Sequence, residues 1–174
     1  IRRQVAECEP VAGYCAANSM SDYATHGVHG VLFAHACIGD RVRRVTYQTR
    51  DWRVPNGILT FEHEPAGGGK PFYGCVQETT GVWGWIRVFG QRGFEEKVHA
   101  GRAFWVPLVL EMQKLFETRT PPQSYEALYE KVQLFLAGFK SHVACGGAPV
   151  GFDGIGEWSA PPLQPDPYPQ GYFD

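Results

Sequence analysis

The chain has 174 residues, 44% of them hydrophobic and 14% aromatic, enough to bury one sizeable core. A formal net charge of −2 gives no electrostatic ground for binding nucleic acid, and the pairs Arg2/Arg3 and Arg43/Arg44 are too short to supply one. No apolar run approaches the roughly 18 residues that a membrane helix needs, and "IRRQVAECEP" lacks the apolar stretch of a secretory signal.

Residues 1–20 read as an irregular or extended lead-in, punctuated by Pro10 and Gly13. "NSMSDYATHGVHGVLFAHACIG" predicts a helix, with Ser19 or Ser21 as N-cap, Asp22 in the positive first turn and Gly39 as the stop. Its residues Val28, Val31, Leu32, Ala36 and Ile38 recur at helical spacing. Gly27 and Gly30 each weaken a helix by about 1 kcal/mol relative to alanine, a sign that something packs close to it.

The period then changes. "RVRRVTYQT" (41–49), "GILTFEHE" (57–64), "FYGCVQETT" (72–80) and "VWGWIRVFG" (82–90) are short runs rich in Val, Ile, Thr and aromatics, and turn formers separate them. In the second run Leu59, Phe61 and His63 share one face. Short connections predict an antiparallel meander, which "GQRGFEEKVH" continues. Helices return in "RAFWVPLVLEMQKLFE", with Phe104, Val109, Met112, Leu115 and Phe116 on one stripe, and in "YEALYEKVQLFLAGFKSHVAC". Ser124 caps the latter, Leu128, Val132, Phe135, Leu136 and Phe139 are its expected buried face, and Gly146 and Gly147 end it. "APVGFD" can add a last short strand.

The fold class expected is therefore α/β (α+β): an open, largely antiparallel sheet with helices packed on one face. Residues 1–155 form that domain. Residues 156–174 carry five of the thirteen prolines and four aromatics, and read as an extended C-terminal tail.

In "SDYATHGVHGVL", Asp22, His26 and His29 fall at i, i+4 and i+7 on one helical face. A carboxylate one turn from an imidazole can orient it and raise its basicity, so His26 can exchange a proton with a substrate. Equally, Asp22 can be a first-turn helix charge and the histidines satisfied by backbone; spacing alone leaves both readings open. The same three residues, joined by His63 or Glu64, offer a metal site, but there is no HExxH and no second ligand pair.

Other motifs carry less. "PAGGGKP" and "FGQRG" lack the spacing and the strand–turn–helix context of nucleotide loops. No G-x-S-x-G is present, and Cys37 reads as a core thiol. Trp83 and Trp85, two apart on a strand, can line a sugar-sized pocket, make a subunit interface or simply pack the sheet. Cys8, Cys15, Cys37, Cys75 and Cys145 make an odd count without C-x-x-C, the usage of a reduced, cytoplasmic protein.

The order of these pieces resembles a known family. D-x-x-x-H in "SDYATHGVH", a strand ending in the G-x-x-G turn of "WIRVFGQRG", and "PPQSYEALYEKVQLFLAGFKSHVACGGAPV" are similar to the C-terminal half of the glucose–fructose oxidoreductase / inositol dehydrogenase (Gfo/Idh/MocA) family, over roughly residues 18 to 153. The resemblance implies His26 as the acid/base at a substrate hydroxyl or carbonyl, supported by Asp22. It also implies NAD or NADP as cofactor, bound by an N-terminal Rossmann domain. Two departures stand out: "CAANSMS" replaces a glycine-rich segment before the motif, and the nucleotide domain with its lysine is not in this sequence.

The expectation is the substrate-binding and oligomerising half of an NAD(P)-dependent oxidoreductase acting on a sugar, cyclitol or related polyhydroxy compound. Asn18, His29, Trp83 and Trp85 are its expected substrate contacts. Its partners would be a Rossmann half, in the same polypeptide or on another chain, and further copies through the sheet face. A chain that opens on Ile and meets its first motif early suits a fragment, a processed chain or half of a split protein. The alternatives are a free-standing, non-redox binding module and a cofactor-independent isomerase or lyase using Asp22 and His26.

Overall fold

The computed structural model describes residues 2–8, 11–19, 22–39, 42–64, 70–79, 84–97 and 106–161. The element order is α1 (Arg2–Glu7), β1 (Val11–Ser19), α2 (Tyr23–Ile38), β2 (Val42–Gln48), β3 (Ile58–His63), β4 (Phe72–Thr79), β5 (Trp85–Gly90), β6 (Phe94–Lys97), α3 (Val106–Thr118) and α4 (Tyr125–Cys145). The six strands form one open sheet in the order β2-β3-β4-β1-β5-β6. Gly81, Trp83, Phe104 and the tail beyond residue 161 lie outside the described residues. No helix among the described residues is long and apolar enough to cross a membrane.

Two corrections follow for the first half of the chain. The expected lead-in is a helix and then the strand that joins the two halves of the sheet. β1 pairs in parallel with β4, Cys15 opposite Cys75, and antiparallel with β5, Ala16 opposite Ile86. The meander is accordingly interrupted: β2-β3-β4 and β5-β6 are antiparallel runs, and β1 sits between β4 and β5.

Alternation explains which face is covered. Tyr14, Ala16 and Asn18 of β1, Leu59, Phe61 and His63 of β3, Val76 and Glu78 of β4, and Ile86 and Val88 of β5 are all buried. α2 packs over β1 and β4, and α4 over β2 and against α2. The opposite face carries Ile58, Tyr73 and Phe89, each more than a third exposed. All five cysteines are free thiols, and Cys37 is core, as expected.

The helices end where the sequence predicts. Ser124 Oγ accepts from Ala127 N–H at 3.2 Å, and Gly146 terminates α4 in the left-handed region at φ 59°. Gly39 stops α2, its N–H donating to the His35 carbonyl at 2.9 Å. The buried face of α4, however, is Leu134, Ala137, Gly138, Phe139 and Ser141. Leu128 and Val132, expected inside, are exposed, because the residues that α4 buries all lie from Leu134 onward. α3 buries none of its residues, and its stripe of Val109, Met112 and Phe116 faces solvent. The expected last strand is a single bridge, Val45 to Val150.

Tyr23 centres the helix–sheet contact. Its ring stacks on Tyr47 at 4.2 Å and on Phe135 at 5.1 Å, and its hydroxyl donates to the Phe135 carbonyl at 2.9 Å. The ring also explains one of the two helix glycines, since a Cβ at Gly27 would fall 2.6 Å from Tyr23 Cδ2. A Cβ at Gly138 would lie 2.1 Å from Tyr23 Oη and 3.1 Å from Leu59 Cδ2. Gly138→Ala, normally a gain in helix propensity, is therefore expected to cost about 1–3 kcal/mol by overpacking, read as a lower melting midpoint.

Candidate active site

β1 delivers the chain to the start of α2, where Asp22 is the N-cap. Its backbone is extended (φ −149°, ψ 160°), and its Oδ1 accepts from Thr25 N–H at 2.8 Å. The N-cap is thus Asp22 rather than either expected serine; Ser19 ends β1 and Ser21 lies outside the described residues. The Tyr23 N–H goes to the Trp52 carbonyl at 2.8 Å, which ties the helix start to the loop after β2.

Asp22 and His26 come together, but not directly. His26 Nδ1 is 3.6 Å from Asp22 Oδ2, too long for a hydrogen bond. Thr25 fills the gap: its hydroxyl donates to Asp22 Oδ2, and its oxygen lies 2.6 Å from His26 Nδ1. A hydroxyl committed to the carboxylate can only accept from the imidazole, so Nδ1 carries the ring proton and Nε2 keeps the lone pair. The buried carboxylate (2% exposed) thus orients, through Thr25, a ring that is 39% exposed. This gives a base whose reactive nitrogen is set by its neighbours.

His29 is exposed one turn on, its ring 5.8 Å from that of His26. Burial first, then the neighbouring His26, lowers its pKa, which favours the neutral imidazole. Asn18 is buried on the helix-facing side of β1, opposite Glu78. Trp85 lies on the other face of the sheet, across from Ala17, and its Nε1 donates to Glu95 Oε1 at 2.9 Å. It is therefore not brought to the His26 side; Trp83 is outside the described residues.

His63 is also remote. It pairs with Phe72 at the start of β4, whereas β1 leaves the sheet beside Thr79 at that strand's other end, roughly 20 Å away at the rise of a strand. That separation removes His63 as a ligand to an Asp22/His26/His29 metal, and no metal-binding cluster of three occurs among the described residues. His63 is instead a core histidine. It stacks on Phe72 at 4.7 Å, and its Nε2 is hydrogen-bonded at 3.0 Å to the Tyr14 hydroxyl, a phenol that burial keeps protonated.

Burial, then the nearby His35, pushes the His63 pKa down to about 4. The unfolded chain therefore binds a proton near pH 6.5 that the folded one refuses until about pH 4, and the stability this side chain contributes is lost as pH falls through that window. Against His63→Gln, which can still hydrogen-bond to Tyr14, the wild type's advantage in urea unfolding is expected to shrink by about 3 kcal/mol between pH 7 and pH 4.

Two residues of the site escaped sequence reasoning. Thr25 gave no signal, because its role depends on where the cap falls. Glu78 had one: it continues the core alternation Gly74, Val76, Glu78, which puts an acid on a buried position. It is 1% exposed, and its Oε2 accepts from Tyr47 Oη at 2.6 Å and from Gly57 N–H at 3.0 Å, while Oε1 has no hydrogen-bond partner among the described residues. Burial is the main reason its pKa rises to about 7.

No family model matches the chain, and no curated protein matches it. Solved structures do. A "putative NADPH-dependent oxidoreductase" from Desulfitobacterium hafniense DCB-2 is similar with a TM-score of 0.58 and 16% identity, over 87% of this chain and 60% of that one. A "probable dehydrogenase" from Thermotoga maritima is similar with a TM-score of 0.64 and 12% identity, over 87% of this chain and 59% of that one. At these identities the likeness is one of fold. The chain spans about three fifths of the length of each.

Proposed function

We propose that this chain is the substrate-binding and oligomerising half of an NAD(P)-dependent oxidoreductase of the Gfo/Idh/MocA type, acting on a sugar, cyclitol or related polyhydroxy compound. The observation that carries the proposal is the Asp22–Thr25–His26 relay, which sets a half-exposed imidazole as a base. The fold likeness to dehydrogenase-type structures supports it, as does their extra length, which leaves room for a nucleotide-binding half.

The nicotinamide is not assigned to this chain. Among the described residues β1 is a parallel strand followed in the sequence by a long helix; neither of the two residues between them, Met20 and Ser21, is glycine, and α2 opens on a buried carboxylate at its cap. A pyrophosphate at a helix N-terminus needs close backbone approach and positive potential, and Asp22 opposes both. The cofactor therefore belongs to the other half, in the same polypeptide or on a partner chain, and supplies hydride acceptance when bound. Here His26 Nε2 takes the proton of the substrate hydroxyl as the C–H bond breaks, and the imidazolium charge is balanced through Thr25 by Asp22. Asn18 and His29 flank this relay as candidate substrate contacts.

The open sheet face, with Ile58, Tyr73, Trp85 and Phe89, is the surface we assign to a second copy. The free thiols favour a reducing, cytoplasmic location. The proposal is tested with the polypeptide or complex that carries this chain, given NAD or NADP and a panel of hexoses, inositols and polyols. Nicotinamide reduction by at least one member is expected. Conversion of a polyol by the isolated chain after exhaustive removal of nucleotide would instead establish the isomerase or lyase alternative.

A further inference from the structure

Cys15 and Cys75 meet across the middle of the sheet. β1 and β4 are its two central strands, they run parallel, and these two residues are directly in register. Tyr14 and Ala16 beside Cys15, and Gly74 and Val76 beside Cys75, are buried on the helix side. Both thiols therefore project from the open face, where they are partly exposed and free. The row continues with Thr60 of β3 opposite Cys75 and Arg87 of β5 opposite Cys15.

The spacing decides what such a pair can hold. Adjacent strands lie about 4.8 Å apart, and in-register side chains of a parallel pair leave the sheet in the same direction. A disulfide needs its Cβ atoms about 3.5–4.5 Å apart, so closing one would draw the two strands together. Two thiolate–metal bonds of about 2.3 Å each span up to about 4.6 Å between the sulfurs, which fits the strand spacing without movement. Thiolates select soft cations, zinc and monovalent copper among them. Zinc calls for four ligands, and no group of three or more metal-binding side chains occurs among the described residues. Monovalent copper is satisfied by two.

We propose that Cys15 and Cys75 form a two-thiolate site for monovalent copper at the centre of the open sheet face. Each thiol gives its proton to solvent and binds through sulfur, and no electron is transferred. Without a cation the two sulfurs do not both ionise at neutral pH: burial, then the hydrogen bond and charge of Cys15, push the Cys75 thiol up to about 11. The filled site carries one net negative charge, and Arg87, next in the row and 3.8 Å from Glu95, supplies a positive charge beside it. Both ligands belong to one chain, so the site does not depend on a second copy covering this face. It is also separate from the His26 relay, which α2 carries on the other side of the sheet.

The test is an anaerobic titration of the reduced 174-residue chain with Cu(I) against a coloured Cu(I) chelator, with X-ray absorption of the one-equivalent complex. One ion per chain with two sulfur neighbours is expected. Affinity should fall at least a hundredfold in Cys15→Ser and in Cys75→Ser and stay unchanged in Cys145→Ser, which removes the exposed thiol of α4. Wild-type affinity in the double variant Cys15→Ser/Cys75→Ser, or a sulfur count above two, overturns the proposal. Should the serine variants not fold, alkylation of the wild-type chain decides. One equivalent of Cu(I) should protect Cys15 and Cys75 from iodoacetamide while Cys145 is labelled, and equal labelling of the pair with and without copper again overturns the site.

Discussion

His26→Ala lowers the nicotinamide-dependent turnover of the assembled enzyme by about a hundredfold to ten-thousandfold, the range for losing a positioned general base. Its stability stays within about 0.5 kcal/mol of wild type, because the side chain is 39% exposed. The combination identifies a catalytic rather than a structural role. Thr25→Val separates the relay from simple proximity: it keeps the volume and the backbone bond to Asp22 but cuts the hydroxyl bridge across the 3.6 Å gap. Its turnover should fall between wild type and His26→Ala. Asp22→Asn is the weaker test, because it disturbs the cap of α2 as well as the charge. Turnover in Thr25→Val equal to wild type would mean that Asp22 and His26 act without the bridge.

Glu78→Gln should be more stable than wild type above pH 7, an unusual direction for a substitution in a core. The side chain is 1% exposed and its pKa is raised from 4.5 to about 7, burial being the main cause. The folded state thus binds a proton more tightly than the unfolded one. The stability from the protonated acid is fully present below pH 4.5, and it is lost as pH rises to about 7. The difference corresponds to about 3 kcal/mol. Glutamine mimics the neutral acid, since its carbonyl can still accept from Tyr47 and Gly57. Denaturant unfolding should therefore give near parity at pH 4.5, and a variant more stable by up to about 3 kcal/mol at pH 8.5. Between pH 4.5 and 6.5 the wild-type slope from Glu78 opposes that from His63, so the single variants reveal what the wild-type curve conceals. Equal stability at pH 8.5 would show that the Glu78 charge is compensated in the fold.

The strands of the middle region were legible because their alternation is strong: Leu59, Phe61 and His63 were read as one face, and that face is buried. Caps were legible where a single residue type decides them, as at Ser124, Gly146 and Gly39. β1 was not. "VAGYCAANS" is mostly small residues with a glycine inside, so its strand signal is weak, and its place between β4 and β5 depends on partners more than 50 residues away. Alternation shows which residues share a face but not which strand lies alongside, which is why the meander was drawn without its insertion. For the site, spacing placed Asp22 and His26 on one helical face and resemblance suggested their roles, yet their link runs through Thr25, which no spacing rule marks. Trp85 was read correctly as a strand residue, but sequence does not decide which side of the sheet faces the helices. The exposed stripes of α3 and α4 have the periodicity of buried ones, because pattern records what a helix can bury and not whether its partner is present.

The central claim is that His26 takes a proton from a hydroxyl whose carbon gives hydride to a nicotinamide. Its most direct test uses polyols deuterated at the carbinol carbon, supplied with NAD or NADP to the polypeptide or complex carrying this chain. Deuterium should appear at C4 of the nicotinamide ring with wild type, and its transfer should fall with His26→Ala. Transfer undiminished in that variant, or no deuterium on the nicotinamide from any polyol, would contradict the account.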